Sequence, residues 1–137
     1  MRGKNLLHLG LLVLRIGIGT SMFFHGLPKI MGGMETWTWL GGSMSSVGIS
    51  FAPAFWGFLA AFTESVGGIL FALGLVHRPI TFMLIGMMGM AMMSHISQGD
   101  GFMQYSHALE LMIVFIAMFI AGPGKYSLDK KFIPKLV

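Results

Sequence analysis

Cysteine is absent from the 137-residue chain, and charged residues make up only 10% of it, five of them acidic. Without a thiol there is no disulfide, no thiolate metal site and no dithiol relay made from the protein's own side chains, so redox chemistry would need an external cofactor. A soluble domain carries about a quarter charged residues, and a chain this poor in charge cannot coat itself in polar surface. No Pro- or Ser-rich linker and no strong internal repeat divides it. The chain therefore reads as one membrane domain over residues 1–137, with no room for a separate soluble catalytic domain.

Apolar material is what the chain does have, at 55% hydrophobic residues and a mean hydropathy of +0.78. A transmembrane helix uses about 20 residues, so roughly four spans and their loops account for the whole length. The predicted spans are 6–27, 53–76, 79–96 and 105–121, which makes the fold class all-α, a four-transmembrane-helix bundle. Pro28 is expected to close the first span, because the residue before a proline is pushed out of the helical region. That first run is longer than the apolar core of a signal peptide, holds Arg15 at its centre and lacks a small-residue cleavage site. Residues 28–52, rich in Gly, Ser and Met, read as a re-entrant or interfacial loop with Trp37 and Trp39 at headgroup level.

The formal charge of +4 does not point to nucleic acid, because the cations gather at the chain ends rather than along one face. Arg2, Lys4, Arg78, Lys125, Lys130, Lys131 and Lys135 fall on one side of a four-span topology and Lys29 alone on the other. The positive-inside rule then puts both termini in the cytoplasm.

A charge within a membrane costs several kcal/mol unless paired, so each intramembrane ionisable residue is a candidate for function. Arg15 and Glu64 each lie about 15 Å into their spans, and an ion pair between these neighbouring helices is the simplest way to satisfy both. Such a pair serves either a ligand or helix register. Nearer the outside, His25, His95 and His107 end or begin three spans, and Glu110 follows His107 by three residues on helix four. These four are candidate ligands for a metal ion, or a relay of protons to a bound electron carrier. Read individually, each histidine also fits an interfacial position bonded to headgroups. The 14 methionines offer soft ligands for Cu(I), but they point several ways around the third span and read first as packing.

The segments Phe23-Phe24-His25-Gly26-Leu27-Pro28-Lys29, Glu64-Ser65-Val66-Gly67-Gly68 and Gly122-Pro123-Gly124-Lys125-Tyr126-Ser127-Leu128-Asp129 resemble the DoxX family of small four-helix membrane proteins. Arg15, His95 and Glu110 fit the family's pattern, while His107 departs from it. The resemblance implies a bacterial inner-membrane protein linked to quinone-dependent oxidoreductases. On that reading Glu64 and Glu110 are the catalytic candidates, moving protons, and His25 and His95 hydrogen-bond a quinone. Arg15 holds Glu64 ionised. The chain has no flavin or haem motif, so it would act beside an oxidoreductase partner subunit, or with a second copy of itself. A small-molecule transport or binding module and a structural scaffold are the alternative readings.

Overall fold

The computed structural model describes residues 2–134; the tail cation Lys135 lies outside the described residues, as does the side chain of Arg2. Six α-helices follow in order: α1 (Arg2–Met31), α2 (Gly33–Gly41), α3 (Pro53–Leu73), α4 (His77–Ser97), α5 (Phe102–Ala121) and α6 (Leu128–Phe132). Four of them, α1, α3, α4 and α5, are long and apolar enough to cross a membrane. They run alternately up and down, so the start of α1 and the segment after α5 meet at one end of the bundle, called here the terminal end, where Asn5 and His8 bond Lys125. The α1–α2 turn and the α4–α5 turn form the far end. Met22, Phe71, Ile80, Leu84, Met88, Phe115 and Met118 fill the interior. Leu6, Val13, Phe24, Phe82, Ile113 and Ile120 point outward, an apolar exterior that suits lipid.

Helix boundaries differ from the predicted ones where tertiary contacts override local preference. Pro28 does not end α1, which continues to Met31. Proline removes one hydrogen bond, and so close to a helix end that loss is small. The extra turn is held from outside, because Lys29 bonds to Glu64 and its carbonyl accepts from Trp37 Nε1 at 3.1 Å. Helix α4 begins at His77 rather than at Pro79. Pro79 then falls in the first turn, where a backbone N–H has no intrahelical partner to lose.

The stretch expected to be a loop is mostly helical, as α2 is followed by a 3-10 helix over Gly42–Val47. Trp37 is not a free headgroup anchor; its ring packs edge-on against Phe58 on α3 at 5.0 Å. Trp39, 78% exposed, keeps the outward position that the sequence suggested. Small residues allow α2 to lie on α3, and an added Cβ on Gly57 would overlap the Trp37 carbonyl.

Candidate functional site

The predicted Arg15–Glu64 pair does not form. Glu64 Oε2 instead bonds Lys29 Nζ at 2.5 Å, and Arg15 Nη2 donates to the Tyr126 carbonyl at 2.6 Å. Counting inward from the span starts would give equal depths only if the helices were of equal length, whereas α1 has 30 residues and α3 has 21. Arg15 lies level with Gly74, just past the end of α3, where an added Cβ would overlap Nη1. Ten residues of helix, about 15 Å, separate that level from Glu64. Beyond its first turn α1 thus carries two cations, Arg15 and Lys29, and the one expected in a loop is the one that pairs with Glu64.

Glu64 is well buried, its side chain 9% exposed against 38% for Lys29. The pair sits where two cavities meet. The larger, about 360 Å³, lies between α3, α4 and the α2–3-10 segment, with Trp56, Leu59, Thr63, Met44, Met83 and Met87 among its walls. It is largely apolar. The charged pair supplies an ammonium donor and a carboxylate acceptor beside it, and such convergence of a few polar groups on an apolar cavity is the usual form of a small-molecule site. The indole N–H of Trp56 is buried and has no partner among the described residues.

The smaller cavity, about 210 Å³, opens at the far end between α1, α4 and α5. His25, His95, His107 and Gln104 line it, and it shares Lys29, Glu64, Met88 and Ala91 with its neighbour. The His25 and His107 rings lie 6.5 Å apart, and His95 Nδ1 is 2.7 Å from Asp100 Oδ2. The three predicted histidines are therefore brought together, His107 included. Glu110 is not: α5 presents Gln104, His107, Ala108 and Leu111 to the cavity and leaves Glu110 exposed. The three-residue step from His107 carries Glu110 away from the centre of that face, which is set by the four-residue steps 104–108 and 107–111. Among the described residues no three His, Asp or Glu side chains are grouped so as to hold a metal ion. The set His25, His95, His107 and Glu110 does not fit that role.

Arg15 belongs to a separate cluster at the terminal end. Its guanidinium is fully buried, and Asp129 supplies an opposing charge nearby. The Asp129 carboxylate accepts the backbone N–H groups of Val76 and His77, each at 2.7 Å, and so caps α4, which lacks a side-chain cap of its own. His77 is buried against Phe71, the rings stacked at 5.2 Å, with Nε2 3.3 Å from the Met118 carbonyl. Ser127 caps α6 by accepting from Lys130 N–H at 3.2 Å. The segment from Gly122 to Asp129 is thus a clasp that ties α1, α3, α4 and α5 together.

The family model for DoxX matches residues 10–96. The chain belongs to the DoxX family. No curated protein and no solved structure matches it. The DoxX match runs from within α1 almost to the end of α4, so it takes in Arg15, His25, Lys29, Glu64 and His95, while His107, Glu110 and the terminal clasp lie beyond it. Together with the four apolar helices, it makes this a DoxX-family multi-pass membrane protein in contact with the lipid bilayer.

Sequence reasoning missed Lys29, Thr63 and Trp56 as cavity groups, and Asp129 as a structural one. Lys29 had been assigned to a loop by Pro28. A signal for it was present all the same, since a lone cation following an apolar run opposite a membrane glutamate is a candidate partner.

Proposed function

We propose that this DoxX protein is a quinone-binding subunit of a quinone-linked oxidoreductase in the bacterial cytoplasmic membrane, with both termini in the cytoplasm. The single observation that carries the reading is the Lys29–Glu64 pair set at the wall of a 360 Å³ apolar cavity. A flat ring of one or two cycles fits such a volume, and thioethers pack well against aromatic faces. Met44, Met83 and Met87 supply them here. Lys29 is placed to donate to a ring carbonyl, and Glu64 to hold or release a proton beside it. As the partner of Glu64, Lys29 stands where the sequence reading places Arg15. The two electrons for reduction come from a reduced redox centre on a partner chain, because this chain has no thiol or cofactor motif of its own. The positive-inside count supports the orientation, and it strengthens once Lys29 is an internal partner rather than a loop cation.

Tryptophan fluorescence tests the reading. A short-chain quinone titrated into the protein in nanodiscs should quench saturably, with the Trp56→Phe variant losing most of the signal. Lys29→Met and Glu64→Gln should each weaken binding by about ten- to a hundredfold, as expected for a charge-assisted hydrogen bond worth about 1.5–3 kcal/mol. Quenching that rises linearly with quinone and is the same in all variants would be mere partition into lipid and would end the proposal.

A further inference from the structure

We infer that the histidine-lined cavity is a water-filled proton route to Glu64 that opens only at the far end, with the Lys29–Glu64 pair closing it off from the apolar cavity. The inference deepens the quinone reading by assigning the side from which protons reach that site.

Four observations carry it. The two cavities share Lys29, Glu64, Met88 and Ala91, so the ion pair stands in the wall between them. The smaller one is polar at its mouth, where His25, Gln104 and His107 are all exposed. His95 is fixed there by Asp100, its partner across the α4–α5 turn. At the terminal end the passage is stopped, since the interior below Glu64 is filled by Phe71, Leu84, Phe115 and Met118, with Arg15 and His77 buried under the clasp.

The groups facing Glu64 and its approach are Lys29 and His25 from α1, His95 with Asp100 from the far end of α4, and His107 with Gln104 from α5. Imidazoles exchange protons with water near neutral pH, so a string of them beside a buried carboxylate is suited to passing protons inward. When Glu64 gives its proton to a ligand oxygen, the carboxylate is refilled from this side. Release of the proton leaves Glu64 charged and paired with Lys29, which closes the wall, and refilling from the far end neutralises the carboxyl and loosens the pair.

The cysteine-free chain allows a direct test. Single cysteines are placed at Ala108 in the smaller cavity, Ala91 in the shared wall and Ala60 in the larger cavity. Each is treated in oriented vesicles with a membrane-impermeant methanethiosulfonate from either face. The expected result is that Ala108→Cys and Ala91→Cys react at least tenfold faster from the far face than from the terminal face. Ala60→Cys should stay slow from the far face until Glu64→Gln is added. A water-soluble carbodiimide, which reacts with a protonated carboxyl, should mark Glu64 from the far face, and His25→Leu with His107→Leu should reduce that marking at least fivefold. Labelling of Ala108→Cys equally from both faces, or from neither while an exposed control such as Trp39→Cys reacts, overturns the route. So does marking of Glu64 that is indifferent to the two histidines. Saturable quinone binding alongside either failure would leave the binding reading standing without this route, whereas the expected labelling without quinone binding would keep the route and remove the quinone.

Discussion

At the scale of single residues, the two membrane cations have different work. Arg15 and Glu64 are about 15 Å apart along the bundle, so Arg15→Leu and Glu64→Leu should lower the melting temperature additively. Lys29→Met and Glu64→Leu should not: the double variant is expected to be more stable than the sum of the two losses by about 1 kcal/mol, a small value because Lys29 is more than a third exposed. Thermal unfolding of the three single and two double variants in one detergent measures both cycles. Asp129→Ala removes the acceptor of two backbone N–H groups and the charge opposing a buried guanidinium, and a loss of about 2–4 kcal/mol is expected from the same assay. The sequence made the rarity of Arg15, Glu64 and the histidines plain, since hydropathy alone makes a buried charge conspicuous. It did not reveal their partners. Pairing depends on how far each helix extends at each end, and Pro28 is a weak marker of that when Glu64 lies within reach of the next residue.

At the scale of elements, the four apolar helices were legible because each must be about 20 residues long and poor in charge to cross lipid. Their ends were not, for tertiary bonds set them: the Asp129 carboxylate starts α4 and the Trp37 indole steadies the last turn of α1. The 28–52 segment was misread as loop because its glycines weigh against helix on propensity. Among them Gly41 serves close approach, seating α2 on α3 together with Gly57 of α3. Gly57→Leu should therefore displace α2 and open the larger cavity, abolishing saturable quinone quenching while the far-face labelling of Ala108→Cys persists. Circular dichroism should show the four long helices intact in that variant.

At the scale of the whole molecule, the α1–α2 turn and the α4–α5 turn share one end, and the start of α1 and the clasp share the other. Lys131→Cys and Trp39→Cys, both at exposed positions, are expected to react with an impermeant thiol reagent from opposite faces of intact cells, Lys131→Cys only after the cytoplasmic face is opened. Reaction of Lys131→Cys from outside would reverse the orientation. Glu110 is the candidate ligand that the structure separates from the three histidines. Spacing placed Glu110 near the histidines in number but not in direction, and the angle around a helix decides which side chains meet.

The clasp has a consequence in time. Tyr126 is 111 residues beyond the arginine whose Nη2 hydrogen bond it accepts, and Asp129 is 52 beyond the helix start that it caps. A ribosome adds roughly 5–20 residues each second, so Arg15 waits on the order of ten seconds for its carbonyl partner. Throughout that interval a guanidinium must be tolerated by the insertion machinery or by water dragged into the bilayer. The arrival of the clasp, Gly122 to Asp129, therefore decides whether the helices already inserted become a finished bundle or a target for membrane proteases.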